Sequence, residues 1–438
     1  MRELVQRFSA SAKSERTFTW LKLISITSSA QITIQAIGII SGILIIRLLP
    51  THEYALYTLA NTMLGTMVVL ADGGISSGVM AQGGKVWQNK QKLGVVLSTG
   101  LYLRRKFAIF SLLFAIPFLI YLLRYHGASW LMSSLLIFSL VPAFLMALSG
   151  SLLDIAPKLH QDIIPLQKIQ VSNSVARLVL TCLTIFTFPW AYIAIIASGI
   201  PQLWTNFQLR KISKKFADLS QGPDIKERVA ILKVVKRTLP GSIYYCVSGQ
   251  ITIWIVSFFG STESIAQVGA LSRLTMILTV FTLLLSSLIE PRFSRLPPDR
   301  KLIINRFLQI QGGLLLLSGC ILLTVYLFPG PIISILGKQY AGLHTEVLLL
   351  TVSSCLSLIS GSVYKLSSTR GIVPPPLILI PVLLLIQVLF FVFVDYTHVQ
   401  GALLFSIFTY LTAWIFRFSY FFYWIAKNFN KKNDTATA

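Results

Sequence analysis

Residues 106–123 read KFAIFSLLFAIPFLIYLL, and after a six-residue turn a second apolar stretch, WLMSSLLIFSLVPAFLMALSG, covers residues 130–150. As helices, both approach the roughly twenty residues that cross the hydrocarbon core of a bilayer. Similar stretches recur along all 438 residues, and only 12% of the chain is charged, about half of the share near 25% in soluble domains. The sequence therefore predicts an all-α polytopic membrane protein. It excludes a soluble enzyme, a disordered chain and a secreted disulfide scaffold.

The apolar stretches divide into twelve predicted transmembrane spans, and the loops between them alternate in charge. The spans cover residues 23–47, 55–79, 106–123, 129–152, 169–188, 190–209, 239–259, 264–289, 308–328, 345–364, 374–394 and 399–425. Of the 38 lysines and arginines, 32 lie in the termini and in alternate loops, and only Arg47, Arg124 and Lys338 lie in the other loops. The positive-inside rule then predicts that both termini are cytoplasmic.

The net charge of +23 raises the question of nucleic-acid binding, but the location of the charge favours a membrane surface. Each lysine or arginine near an anionic leaflet contributes about 1 kcal/mol to its attraction. The sequence contains no basic module interleaved with aromatic residues. We therefore predict anionic phospholipids as partners and no nucleic acid.

The two halves of the chain resemble each other. Glu53 and Glu263, 210 residues apart, each follow the end of a span, and a second span and a basic amphipathic segment come after each of them. Six spans in each half give both halves the same orientation, and transporters built from such repeats often place their pathway at the repeat interface. The alternative is the weak self-similarity of any polytopic chain. The predicted parts are a six-helix bundle with the N-terminus (1–209), a cytoplasmic linker (210–238) and a second six-helix bundle (239–438).

Three arginines, Arg177, Arg273 and Arg417, fall inside predicted spans near mid-depth. An arginine at the centre of a span costs about 2.5–3.5 kcal/mol on insertion scales. One interpretation is a cationic cavity for an anionic solute, since guanidinium forks suit phosphate and carboxylate. The other is structural pairing, for example with Asp72.

Polar residues of the first span suggest a hydrated wall. Gln31 and Gln35 lie one helical turn apart on one face, and they can line a cavity or bond neighbouring helices. Asp72, the carboxylate clearly inside a span, can bind a coupling proton or Na⁺, form a salt bridge, or cap the Gly73-Gly74 break.

No catalytic constellation is present in the sequence. The five histidines are isolated, and no glycine-rich phosphate-binding loop occurs, so the chain has no nucleotide-hydrolysis motif. We predict a protein that is not an enzyme and that carries no cofactor or metal.

Two segments resemble a known family. Residues 38–80 contain a glycine-bearing span, Arg-Leu-Leu-Pro at 47–50, Glu53-Tyr54 and an Asp-Gly pair at Asp72, and residues 329–343 contain a Pro-Gly-Pro turn. In order and spacing these features resemble bacterial polysaccharide repeat-unit flippases of the Wzx type. That family belongs to the superfamily that includes multidrug-and-toxin exporters.

The resemblance implies two six-helix bundles around a central cavity in a bacterial inner membrane. Its substrate would be an undecaprenyl-pyrophosphate-linked oligosaccharide, moved by alternating access, and other membrane proteins of polysaccharide assembly would be partners. The cavities of the family are often cationic, and by depth the matching positions are Arg47, Arg177, Arg273 and Arg417. The rival interpretations are a cation-coupled small-molecule exporter of the same fold, a membrane glycan polymerase, and a scaffold that transports nothing.

Overall fold

The computed structural model describes residues 2–434 except 286–288, 295, 298, 369, 371, 373 and 397, without the side chains of 2–24, 245, 247, 291, 294 and 428–434. Within these residues the chain forms helices and no β-strand. The helices of the first half are α1 (Arg2–Leu48), α2 (Thr51–Asp72), α3 (Ile75–Val86), α4 (Lys90–Tyr125), α5 (Trp130–Leu153), α6 (Ile155–Leu159), α7 (Ile163–Thr187) and α8 (Ala191–Phe216). Those of the second half are α9 (Ile225–Phe259), α10 (Thr262–Thr275), α11 (Ile277–Leu284), α12 (Glu290–Ser294), α13 (Arg300–Leu327), α14 (Pro329–Ser334), α15 (His344–Ser368), α16 (Pro376–Phe391) and α17 (Val399–Asp434).

Each of the twelve predicted spans corresponds to a helix or a bent pair of helices. Among the described residues, eight helices are long and apolar enough to cross a membrane, and two bent helix pairs raise that number to ten. The bent pairs are α9 and α10–α11. The helices α8 and α16 occupy the remaining two predicted spans. The chain is a multi-pass membrane protein, and the predicted all-α polytopic fold is confirmed.

The helices pack as an N-terminal lobe (α1–α8) and a C-terminal lobe (α9–α17). In the first lobe α5 packs on α8, α1 on α7 and α2 on α4, and in the second lobe α15 packs on α17 and α13. The lobes meet where α9 packs on α2, α3 and α4, and where α10 packs on α1 and α2. The largest cluster of buried apolar side chains contains residues of both lobes, such as Tyr54 and Leu271, so burial of apolar surface stabilises this contact.

The second predicted span, 55–79, is broken in the structure. Gly73 and Gly74 have φ values of 49° and 94°, the left-handed region that glycine adopts without steric cost. A Cβ on Gly74 would lie 2.0 Å from Oγ1 of Thr238 in α9. The break therefore ends α2, starts α3 and lets α9 approach closely.

The starts of α4 and α13 are separated by the spacing of the predicted repeat. The side chain of Asn89 accepts a hydrogen bond from the backbone of Lys92 at the start of α4, and that of Asp299 accepts one from Lys301 at the start of α13. These two N-caps have the same 210-residue offset as Glu53 and Glu263. The two members of the second pair act differently, since Glu53 is buried and accepts from the first N–H of α8 at Ala191, whereas Glu263 is exposed.

The segment between the lobes is more helical than its polarity suggests. The helix α8 continues to Phe216 and α9 begins at Ile225, so only 217–224 of the predicted 210–238 linker lie between helices. Gly222-Pro223, the predicted break, lies in this loop.

Candidate functional site

Two of the three predicted intramembrane arginines lie at matching depths in opposite lobes. We call the membrane face opposite the predicted cytoplasmic termini the outer face. Arg177 is ten residues from the end of α7 at this face, and Arg273 is eleven residues from the end of α10 there. At about 1.5 Å per residue both lie roughly 15 Å below the outer boundary, close to the middle of a hydrocarbon core about 30 Å thick. We refer to Arg177 and Arg273 as the arginine pair.

Arg177 borders a cavity in the N-terminal lobe with a volume of about 190 Å³. Polar side chains share the wall with it, namely those of Tyr57, Asn61, Ser198 and Gln202. Among the described residues, Nε of Arg177 is buried without a hydrogen-bond partner, and so is the hydroxyl of Tyr57. A buried donor without a partner is costly, so this cavity is suited to an acceptor that the protein itself does not provide.

Arg273 lies where the two lobes meet. Its Cδ would be 3.0 Å from a Cβ placed on Gly42 of α1. Its guanidinium is close enough to the hydroxyls of Tyr54 and Tyr57 for electrostatic interaction, although neither hydroxyl has a hydrogen bond of standard geometry within the described part of the chain. Because Tyr57 also borders the cavity of Arg177, it lies between the two arginines.

No carboxylate in the described part of the chain forms a salt bridge with either member of the arginine pair. The salt bridges among the described residues are Arg104–Asp72, Lys158–Asp154 and Lys365–Glu290. Two uncompensated guanidinium groups at mid-membrane create a positive potential that favours an anion.

A second recess lies in the C-terminal lobe, and its lining begins at Thr275, two residues after Arg273 in α10. Its volume is about 380 Å³, and hydroxyl groups dominate its polar wall. They belong to Thr275, Thr279, Thr282, Ser354, Ser357, Ser362 and Tyr410. Lys365, whose Nζ is 3.6 Å from Oε1 of Glu290, also lines it. The sequence analysis missed this recess because its hydroxyls come from four helices, and only α15 contributes a visible serine-rich run.

Arg417 lies elsewhere than the mid-depth expected from the sequence. It is eighteen residues from the outer end of α17, roughly 27 Å deep, and therefore near the opposite boundary of the membrane. Its Nη1 is 3.1 Å from the hydroxyl oxygen of Ser360, and its guanidinium lies 5.3 Å from the ring centre of Tyr364. The depth expected for Arg417 assumed that the helix leaves the membrane near Lys427, but α17 continues past that residue to Asp434. Arg417 thus joins α17 to α15 and is not brought together with the arginine pair.

The two predicted glutamines differ in their contacts. Nε2 of Gln31 lies 3.2 Å from Oε1 of Gln167 and 3.1 Å from Oε1 of Gln170, and these hydrogen bonds join α1 to α7. Gln35, one turn closer to the membrane centre, is half-buried. Gln31 is therefore engaged between helices, and Gln35 is the better placed of the two to meet a solute.

Asp72 forms a buried salt bridge with Arg104, a residue that the sequence analysis counted among the loop cations. Arg104 is 3% exposed and also donates to the hydroxyl of Ser151 at 2.7 Å. Asp72 accepts from the hydroxyl of Ser76 at 2.7 Å and from its backbone N–H at 3.2 Å. It therefore caps α3 and ties α2 to α4, which is the structural alternative for this carboxylate.

Arg47 bonds across the lobes at their outer ends. Its Nε and Nη2 donate to the carbonyl oxygens of Ile335 and Ser334, both at 2.9 Å. Nε2 of Gln339 donates back to the carbonyl of Ile46 at 3.2 Å. In this conformation Arg47 caps the last turn of α14 and does not join the arginine pair as its expected depth implied.

His126 makes a second contact between the outer ends. Its Nε2 is 2.8 Å from the carbonyl oxygen of Ser257, and its Nδ1 is 3.1 Å from Oγ1 of Thr262, both in the C-terminal lobe. A carbonyl only accepts, so Nε2 carries the proton of the neutral ring. Burial lowers the pKa of His126. The ring of His52, whose Nε2 is 3.1 Å from the carbonyl oxygen of His126, lowers this pKa further.

No protein-family model and no curated protein sequence matches the chain. Solved structures do. The inward-facing conformation of a multidrug resistance MATE family transporter of the MOP superfamily matches with a TM-score of 0.74 and 16% identity over 90% of this chain and 95% of that chain. The outward-facing conformation of such a transporter gives 0.63 and 16% identity over 93% and 95%, and a Vibrio cholerae MATE transporter gives 0.60 and 17% identity over 93% and 98%. The chain has the fold of these proteins.

Proposed function

We propose that the chain is a flippase that moves an undecaprenyl-pyrophosphate-linked oligosaccharide across the inner membrane of a bacterium by alternating access. The observation that carries this proposal is the arginine pair, two guanidinium groups at mid-membrane that no described carboxylate neutralises. Their insertion cost is offset when an anionic headgroup occupies the space between the lobes.

The chemistry of the substrate fits the two recesses. A pyrophosphate presents several oxygens that accept from planar guanidinium forks, and Nε of both arginines is buried and unpartnered within the described chain. A saccharide presents hydroxyl groups, which exchange hydrogen bonds with a hydroxyl-lined wall such as that beside Arg273. The polyprenyl tail needs no site, because it stays in the lipid.

Alternating access follows from the two conformations found among proteins of this fold. The similar solved structures include inward-facing and outward-facing conformations of MATE family transporters. In this chain the contacts of Arg47 and His126 hold the outer ends together, so the substrate would enter from the cytoplasmic side. Release outward then requires these contacts to break.

A multidrug exporter is the second candidate, favoured by the similarity of the fold to that of a multidrug resistance MATE family transporter. Cationic drugs need a negative cavity, and the arginine pair gives the opposite sign. Under this alternative the solute would be a small organic anion.

The proposal is tested by deleting the gene and measuring which leaflet holds the lipid-linked repeat units. A flippase predicts their accumulation in the cytoplasmic leaflet. Repeat units that cross normally but stay unpolymerised would instead indicate a polymerase, and unchanged glycan would contradict both.

The arginine pair is tested in the complemented strain at equal protein levels. We expect Arg273→Ala and Arg177→Ala to reduce export, with Arg→Lys retaining part of it because lysine keeps charge without the fork. Arg105→Ala is the matched control, since Arg105 is exposed at the cytoplasmic start of the third span. Full export by both alanine variants would remove these arginines from the substrate site.

A further inference from the structure

A basic recess opens on the cytoplasmic rim of the N-terminal lobe, outside the site described above. It lies between the start of α4 and the end of α8, has a volume of about 800 Å³, and is walled on the α4 side by Lys90, Gln91 and Leu101. Arg210 and Lys214 of α8, together with the turn 217–220, form the other side. The side chains of Lys90, Arg210 and Lys214 are exposed.

The carboxylate of the recess, Asp218, offsets only part of the charge of these cations. Asp218 accepts from the hydroxyl of Ser220 at 2.6 Å, from its N–H at 3.1 Å, and from Nε2 of Gln221 at 2.7 Å. These hydrogen bonds, with that of the Ser220 hydroxyl the strongest, hold the pKa of Asp218 below its usual range, so it stays ionised. Lys90, Arg210 and Lys214 form no salt bridge among the described residues. Three cations and one carboxylate leave about two positive charges facing the recess.

The depth of the recess matches the lipid headgroups. Arg210 is nineteen residues from the outer end of α8 at Ala191, roughly 28 Å away at about 1.5 Å per residue. That distance spans a hydrocarbon core of about 30 Å, so Arg210 lies at its inner edge. Lys214 lies one turn further, in the headgroup layer.

The same face of α8 is apolar on the membrane side of the cations. Leu203 and Phe207, which are 49% and 58% exposed, precede Arg210 and Lys214 at spacings of four, three and four residues and therefore share one helix face. Nζ of Lys211 lies 4.5 Å from the ring centre of Phe207. An apolar stripe that ends in cations at headgroup depth is complementary to a phospholipid, whose acyl chains would lie along the stripe and whose phosphate would meet the cations.

We propose that this recess binds the headgroup of an anionic phospholipid with two phosphodiester groups, such as cardiolipin, with its acyl chains along Leu203 and Phe207. The two net positive charges match its two phosphates, and basic pockets at the cytoplasmic side of membrane helices are suited to such headgroups. A polyprenyl pyrophosphate also carries two phosphates, but it has only one hydrocarbon chain. The exposed stripe on α8 and Leu101 on α4 provide apolar surface on both sides of the recess, which favours a lipid with several acyl chains.

The test measures cardiolipin binding to the purified full-length chain in detergent, from the lipid retained after gel filtration at increasing lipid concentration. We expect Arg210→Ala/Lys214→Ala to weaken binding about thirtyfold, because each cation near the headgroups contributes about fivefold. Lys215→Ala/Lys226→Ala is the matched control, since it removes the same charge from exposed positions outside the recess. Equal loss in both variants, or loss in neither, would overturn the site.

Binding of three further ligands distinguishes cardiolipin from other molecules that carry phosphate groups. Phosphatidylglycerol, with one phosphate, should bind more weakly than cardiolipin at equal charge. Inorganic pyrophosphate should compete poorly, and tight competition would overturn the part played by the acyl chains. Undecaprenyl pyrophosphate should bind Arg210→Ala/Lys214→Ala as well as it binds the unmodified chain, and loss of that lipid with retention of cardiolipin would overturn the assignment.

Phe207→Ser tests the stripe without a change of charge, and it should weaken cardiolipin binding while the elution profile stays that of the folded chain.

Discussion

Arg273 of the C-terminal lobe packs against Gly42 of the N-terminal lobe, with its Cδ 3.0 Å from the position that a Cβ on Gly42 would occupy. That separation is tighter than an ordinary van der Waals contact, so the glycine allows the arginine side chain to pass close to α1. The arginine pair therefore depends on a residue that carries no chemistry of its own.

We expect Gly42→Ala to displace the guanidinium of Arg273 and to reduce export several-fold at an unchanged protein level. The measurement is export of lipid-linked repeat units in cells. Gly38→Ala is the control, because Gly38 lies one turn earlier on α1 and has no atom within 4 Å of its own Cβ position. Equal export by the two variants would contradict the proposed dependence.

Asp72 and Arg104 form a pair whose loss should affect stability more than transport. Arg104 is buried, so Asp72→Asn leaves a charge without a partner, at a cost of about 3 kcal/mol in the free energy of unfolding. Replacing both residues, as in Asp72→Asn/Arg104→Met, should recover most of this loss, since a buried pair is often exchangeable for neutral groups. Thermal unfolding in detergent measures both effects. If Asp72 bound a coupling ion, Asp72→Asn would abolish export with no loss of stability, and the double variant would not restore it.

The sequence was sufficient to predict the helices and insufficient to predict their side-chain partners. Long apolar runs and alternating loop charge predicted twelve spans, since the requirements of a bilayer act on each helix separately. Arg104 was assigned to a loop because its partner, Asp72, is contributed by another helix. Arg47 illustrates the same limit, because depth predicts where its Cα lies but not that its guanidinium reaches the carbonyl of Ile335. Partners across helices depend on packing, which a single sequence does not display.

The contact of His126 should make outer closure sensitive to pH. Burial lowers the pKa of His126 in this conformation, whereas an exposed histidine in an outward-open form would titrate near about 6.5. The closed form thus binds fewer protons, so closure is favoured at neutral pH and is lost progressively as the outer pH falls below that value. Protonation also removes the acceptor at Nδ1 that faces Thr262.

This pH dependence is measurable as a distance between labels at Pro189 and Gly342, exposed residues on outer turns of opposite lobes. The distance should lengthen as the pH falls from 7.5 to 5.5, a range chosen to bracket the free histidine pKa of about 6.5. His126→Gln keeps a donor for the carbonyl of Ser257 but does not titrate, so its distance should be much less sensitive to pH. A pH response of the same size in His126→Gln would assign it to other groups.

Gly269 and Thr58 form a close contact between the lobes in their outer half. They lie seven residues from the outer ends of α10 and α2, about 10 Å deep, and a Cβ on Gly269 would lie 2.5 Å from Oγ1 and 2.8 Å from Cγ2 of Thr58. Gly269→Ala should therefore wedge the outer halves apart, lengthen the distance between labels at Pro189 and Gly342, and lower export.

A second substitution separates this wedge from a general loss of folding. Thr58→Ala removes the two nearest atoms and leaves only Cβ of residue 58, at 3.2 Å, so Gly269→Ala/Thr58→Ala should return both the label distance and export toward those of the unmodified chain. Gly319→Ala is the control for an added methyl group, since no atom lies within 4 Å of its Cβ position. If the double variant stays as impaired as Gly269→Ala alone, steric separation at Thr58 is not the cause, because two contacting residues that act through one clash must show strong non-additivity.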